Sequence, residues 1–291
     1  MKSIFVLIKT ILFLLIVSLL LAQKSESKEK FFDPDHIIES KITDRNYELY
    51  VSLPHGYSKE DKISYPVLYV LDGFYYFPTI NQANETMGWG RKGLQDLIIV
   101  GLSSGMNNTD WLINRTLDYT TSSSPTGEKS LDKGYGFEDG TIKTGGAAKF
   151  LDVLKQEIIP FIDEQYKTND NRGIAGHSFG GLFASYCLMN SPTLFSKYSI
   201  ISPSFWWDNQ ALFLNMTSKL DEYDKFEIEI FLSVGGSESS GIVPDTVQFY
   251  YDLKKLESKG LNVEWKFFED ENHFSIVPAA LSRTLTVLYG K

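Results

Sequence analysis

The sequence predicts an α/β fold, a mostly parallel central sheet with helices on both faces. Three observations predict it. Short, solid apolar runs end at glycine or Asp-Gly, the pattern of strands buried on both faces. Between them lie stretches whose apolar residues recur at helical spacing. The chain has 291 residues, 43% hydrophobic and 14% aromatic, enough for a sizeable core and too aromatic for a disordered chain. With 28 Lys+Arg against 37 Asp+Glu and no basic cluster, the formal net charge of -9 excludes a nucleic-acid binder. A single cysteine excludes an internal disulfide and a cysteine-based zinc site. Cys187 lies among Ala184, Leu188 and Met189 and reads as a buried structural thiol.

The elements follow in chain order. Lys2 and Lys9 precede an apolar run from Ile11 to Ala22, shorter than the ~20 residues a bilayer span needs. Residues 1–22 therefore read as an export signal, with Ala22 as the small residue at the cut. The alternative is an uncleaved anchor, and only through it would the protein meet a membrane. Both readings place the body outside the cytoplasm, secreted or periplasmic. Residues 23–34 form a leader, polar from Gln23 to Lys30, and 35–291 a single domain. Tyr47, Leu49, Val51 and Leu53 alternate with polar residues and read as a half-buried strand. The runs at 67–71 and 97–100 are buried strands, ending at Asp72-Gly73 and Gly101.

From 103 to 146 the chain is rich in Ser, Thr, Gly, Asn and Asp and reads as a long loop. It follows the carboxyl end of a strand, where open α/β sheets place their ligands, so it is expected to form a lid or pocket rim. A helix follows over 147–166, with Pro160 as a kink or restart. Strands are expected at 172–176, 199–202, 226–234 and 263–268, and helices at 182–189, 246–259 and 277–289.

The sharpest motif is Gly176-His177-Ser178-Phe179-Gly180, between an apolar strand and a helix. That context is the one a nucleophile elbow requires: a serine on a tight, strained turn, with glycines two residues before and after to let the chain pass. The helix amino terminus points its amides at the serine. A serine hydroxyl needs a base, and the chain has four histidines, His36, His55, His177 and His273. His36 precedes the core sheet, His55 sits in a turn, and His177 lies inside the elbow with its side chain expected to point away from the nucleophile. His273, between the last strand and the last helix, is the base by elimination and by the order serine, acid, histidine. The acid should follow the strand at 226–234. Glu238, after Gly235-Gly236, comes first, with Asp245 and Asp270 as the other candidates. The oxyanion hole needs two backbone amides, expected from Phe179 and Phe74.

Several segments together resemble the putative esterase family of α/β-hydrolases, the group containing esterase D-like enzymes. Within it they are most similar to the branch of ferric-siderophore (enterobactin-type) trilactone esterases. The segments are 65–73, 99–102, Arg115 with Asp118-Tyr119-Thr120, Gly145-Gly146 with Phe150 and Ile158-Ile159-Pro160, the elbow, and 202–207. The resemblance implies an α/β-hydrolase fold and hydrolysis of carboxylic esters through an acyl-enzyme. It implies no metal or other cofactor, and carries Ser178 and His273 over as catalytic. In the siderophore branch the acid can be weak or absent, which leaves Glu238 open. Catecholate siderophores are anionic, and Arg115 is the pocket candidate for them, its alternative being a structural partner for Asp118. Trp206 and Trp207 either wall an aromatic or sugar-binding cleft or pack in the core. The implied partner is a small-molecule ester, or a glycan-linked feruloyl or acetyl ester. The rival reading is a non-catalytic glycan- or peptide-binding module on the same fold.

Overall fold

The computed structural model describes residues 33–60, 62–88, 93–105, 107–239 and 241–291. The export signal expected at 1–22, and the leader up to residue 32, lie outside them. Eight strands form one sheet in the order β1-β2-β4-β3-β5-β6-β7-β8. They are β1 (His36–Ser40), β2 (Arg45–Ser52), β3 (Tyr65–Leu71), β4 (Ile98–Ser103), β5 (Thr168–His177), β6 (Lys197–Ile201), β7 (Ile228–Gly235) and β8 (Leu261–Phe268). The pairs β1/β2 and β2/β4 are antiparallel, and every pair from β4 to β8 is parallel. This is the mostly parallel sheet of an α/β-hydrolase fold. Every expected strand is present. The added one, β1, is a five-residue edge strand whose side chains alternate between half-buried and exposed, too short to signal itself by period.

Period-2 alternation divides β3 between two cores. Val67, Tyr69 and Leu71 face one layer with Phe150 and Phe183, while Leu68 and Val70 face the other with Phe77 and Leu285. The helices that cover the second layer are α1 (Gly73–Gly88) and α9 (Ile276–Tyr289). The segment expected as a loop at 103–146 instead carries α2 (Asn108–Tyr119) and α3 (Pro125–Tyr135). Both begin on a side-chain cap. Asn107 accepts the amide of Asp110 (2.9 Å) and Ser124 that of Gly127 (3.3 Å). The remaining turns are pinned by buried Asp132, whose carboxylate takes the amides of Gly140 and Ile142 at 2.7 Å each.

The helix expected over 147–166 is broken by geometry rather than ended. It runs as α4 (Ala147–Val153), a π-turn (Leu154–Ile158) and α5 (Ile159–Gln165). Pro160 sits in the first turn of α5, where a missing amide costs nothing. The rest are α6 (Phe179–Asn190), α7 (Phe213–Asp221) and α8 (Ile242–Lys254). Cys187 is fully buried in α6, and burial pushes its thiol pKa well up. Among the described residues no helix is long and apolar enough to cross a membrane.

Candidate active site

The site is built where β5 turns into α6. The strand runs to His177 and the helix begins at Phe179, so Ser178 alone makes the turn, at φ 60 and ψ −119. A non-glycine residue in such a conformation carries about 1–3 kcal/mol of strain, which the surroundings must hold. They do so through the backbone of Ser178. Its amide donates to the Ile201 carbonyl (3.0 Å), and its carbonyl accepts the amides of Leu182 (3.0 Å) and Ser204 (3.1 Å). A Cβ at Gly176 would overlap the Gly180 carbonyl oxygen, so that glycine is required. Gly180 differs from the expectation. A Cβ there would meet its nearest neighbours, Asp72 Oδ2 and Leu71 Cβ, at 3.5 Å, an ordinary contact.

Two loops bring the other groups to Ser178. The loops after β7 and β8 are zipped together by backbone hydrogen bonds. Gly236 N donates to Phe268 O (2.7 Å) and Ser237 N to Glu271 O (2.9 Å). Side chains at 235 and 236 would overlap the carbonyls of Glu271 and Glu269, so the Gly235-Gly236 pair allows the approach. Asn272 Oδ1 then accepts the amides of Phe274 and Ser275, and Ser275 Oγ accepts the Asn272 amide, a closed turn with His273 inside it. The result is a continuous chain. Glu238 Oε2 lies 2.8 Å from His273 Nδ1, and His273 Nε2 lies 3.0 Å from Ser178 Oγ. The Glu238 side chain is wholly buried and that of His273 is 25% exposed. A buried carboxylate on Nδ1 holds the proton there, which leaves Nε2 as an acceptor for the Ser178 hydroxyl. The other acid candidates lie elsewhere. Asp245 accepts from Gln210 Nε2 (2.8 Å), and Asp270 is exposed.

Phe179 opens α6 and Phe74 is the second residue of α1, so both amides belong to helix first turns, which lack intrahelical acceptors. Gly180 packs on Leu71 and Asp72, which brings the two turns side by side.

Arg115 is buried against Asp72. It is 6% exposed, with Nε donating to Asp72 Oδ1 (2.7 Å) and Nη2 to Asp72 Oδ2 (2.9 Å). Burial works against its charge, but the Asp72 carboxylate more than offsets this and its pKa is raised. Trp111 Nε1 also donates to Asp72 Oδ1 (3.0 Å). The pairing with Asp118 is likewise replaced, because Asp118 is held by Arg45 and Tyr47. The reason is geometric: Asp72, at φ 55 on the turn after β3, turns its carboxylate toward α2 rather than toward solvent.

The two tryptophans differ in exposure. Trp207 is 2% exposed, donates from Nε1 to Ser122 O (3.2 Å) and packs edge-on against Phe179. Trp206 is 44% exposed. Both line a cavity of about 290 Å³ against α3, with Ser124, Thr126, Ser130 and Asp208.

The sequence pattern did not reveal two further neighbours of the reacting groups. Ser204 Oγ lies 3.1 Å from Ser178 Oγ. His177 packs against the base. Its ring lies 4.5 Å from that of His273, its Nδ1 is hydrogen-bonded to Tyr76 OH (2.9 Å), and it is 2% exposed. Burial, then His273 and Arg115, hold its pKa well below the ordinary value. The only local sign of Ser204 was its place in the 202–207 segment, and His177 gave none.

Comparison with known proteins adds four observations. The family described as "Putative esterase" matches residues 40–274. The chain is 28% identical over 264 residues to the ferri-bacillibactin esterase BesA of Bacillus subtilis, covering 86% of each chain. It is 26% identical over 272 residues to the siderophore enterobactin esterase of Emericella nidulans, covering 82% of this chain and 88% of the other. Among solved structures, an IroE-like serine hydrolase from Shewanella oneidensis superposes with a TM-score of 0.74 at 28% identity, covering 87% of this chain and 79% of the other.

Proposed function

The chain belongs to the putative esterase family, in its siderophore-esterase branch, and is a carboxylic ester hydrolase; on that premise we propose that it is an exported serine esterase acting on siderophore-type esters. The observation that carries the serine mechanism is the continuous Glu238–His273–Ser178 hydrogen-bond chain. Ser178 Oγ attacks the ester carbonyl carbon and its proton passes to His273 Nε2. Glu238 holds the ring and stabilises the imidazolium. The carbonyl π pair moves onto oxygen, which the amides of Phe74 and Phe179 receive. Collapse expels the alcohol, protonated by His273, and water repeats the cycle on the acyl-enzyme to release the acid. Export rests on Lys2, Lys9 and the short apolar run after them. The substrate class rests on the relatives named above, and the exposed aromatic rings of Trp206, Tyr75 and Phe274 suit an aryl-bearing ester. With Arg115 held by Asp72, recognition here does not rest on that cation.

A second reading, a carbohydrate esterase for feruloyl or acetyl groups, is favoured by the hydroxyl- and indole-lined cavity beside Trp206. A panel of trilactone, feruloyl and acetyl-sugar esters on the mature protein separates the two. The trilactone is expected to be turned over fastest, and a preference for sugar esters overturns the siderophore assignment. In the same assay Ser178→Ala should fold and lose about 10³-fold or more of its kcat, together with fluorophosphonate labelling. A folded variant that keeps its activity removes Ser178 from the mechanism. A wild-type protein that neither labels nor turns over any ester is the binding module.

A further inference from the structure

Ser204 is tied to Ser178 through both its backbone and its hydroxyl. Its amide donates to the Ser178 carbonyl (3.1 Å), its own carbonyl accepts the Trp207 amide (3.1 Å), and its hydroxyl lies 3.1 Å from Ser178 Oγ. The residue is 1% exposed, and that contact is the hydroxyl's one hydrogen bond among the described residues. The backbone that leads into it is unusual. Ser202 has φ 40, in the left-handed region that side chains other than Asn and Asp rarely adopt. Strain of this kind persists only where the surroundings hold it, and it gathers at functional sites.

The direction of the hydroxyl contact follows from proton counting. Ser178 has one hydroxyl proton, and His273 Nε2 at 3.0 Å takes it. Between the two serines the donor must then be Ser204. We infer that Ser204 is a further catalytic residue, whose hydroxyl donates to Ser178 Oγ and stabilises the charge on that oxygen as it departs from the acyl-enzyme. The inference rests on the proposed role of Ser178 as nucleophile.

The two half-reactions feel this donor differently. In acylation Oγ is the nucleophile, and a donor to its lone pair orients it but withdraws electron density. The two effects oppose one another. In deacylation Oγ is the leaving group. Water attacks the acyl carbon and gives a proton to His273 Nε2. The tetrahedral carbon then re-forms its C=O, and the C–Oγ bond breaks with its pair passing to Oγ. Oγ recovers its proton from His273, while the Ser204 proton stays on Ser204. Here the donor acts only in favour of the reaction, because it meets charge that grows toward the transition state.

The test is stopped-flow hydrolysis of a p-nitrophenyl ester by wild type and Ser204→Ala, with melting curves for both. Ser204→Ala is expected to show a burst of p-nitrophenolate and a kcat lowered about tenfold or more, by analogy with loss of one charge-stabilising donor. Its kcat/KM and its fluorophosphonate labelling rate should change far less, since both report acylation. Ser204→Thr keeps the hydroxyl and should recover kcat; if its methyl lowers the melting temperature, Ser204→Cys, a weaker donor, should give an intermediate kcat. An unchanged kcat in Ser204→Ala, or kcat and kcat/KM falling by the same factor, overturns the assignment while leaving Ser178 in place. A wild-type protein that hydrolyses the ester but does not label at Ser178 overturns both.

Discussion

Gly176 and Gly180 flank Ser178 symmetrically in the chain but not in space. The first carries the close approach, because a methyl group there would strike the Gly180 carbonyl. The second faces ordinary contacts at 3.5 Å and has no positive φ. Gly176→Ala should therefore cost about 3 kcal/mol or more in urea unfolding and disable the site. Gly180→Ala should keep both the fold and most of its esterase activity. Equal losses in the two variants would mean that the turn, rather than the contact, sets the requirement. The G-x-S-x-G pattern marks the strand-to-helix turn that Ser178 makes, but a pentapeptide holds no information about which carbonyl lies above which glycine.

At the scale of elements, α2 and α3 are where local reading failed. The composition of 103–146 is that of a loop, and its capping residues, Asn107 and Ser124, are also common turn residues. What makes α2 a fixed part of the site is Arg115, which ties it to Asp72, two residues before Phe74. Its guanidinium also lies over the rings of Trp111, Tyr119 and Phe179, so one side chain joins α2, the turn after β3 and the elbow. Arg115→Ala would leave a buried carboxylate without its cation. It should destabilise the protein by about 3–5 kcal/mol in urea melts, and Asp72→Asn in the same chain should recover part of the loss. A double variant no more stable than Arg115→Ala would show that the rings around the guanidinium, rather than the charge, hold the contact. The same pairing makes Arg115 a structural tie, with its Nε and Nη2 donors engaged by Asp72.

At the scale of the whole molecule, three elements meet around a buried histidine. His177 is faced by Tyr76 of α1, Arg115 of α2 and His273 of the loop after β8. Burial first, then the two nearby bases, holds its folded-state pKa well below 6.5. Between that depressed value and 6.5 the unfolded chain binds a proton that the folded one does not. The contribution to stability is thus complete above 6.5 and lost as the pH falls below it. The loss is at most about 1.4 kcal/mol per pH unit. Urea midpoints from pH 8 to pH 5 should decline, and His177→Phe should flatten the decline. The same slope in the variant would assign the pH dependence to other groups. A neutral His177 also keeps a second positive charge away from His273, which must itself become cationic during turnover.

The sequence by itself determined seven of the eight sheet strands, the position of the elbow and the candidates for base and acid. These are local signals: apolar runs the length of a strand, a glycine pattern at one turn, and the order of polar residues along strand ends. Only the tertiary structure decided which carboxylate meets His273, that Arg115 pairs with Asp72, that Gly180 is not sterically required, and that Ser204 and His177 adjoin the reacting atoms. Each of those is a choice of partner between residues distant in the chain. Such choices depend on how turns with positive φ and glycine-spaced loops land at the carboxyl edge of the sheet, and residue type carries no record of that.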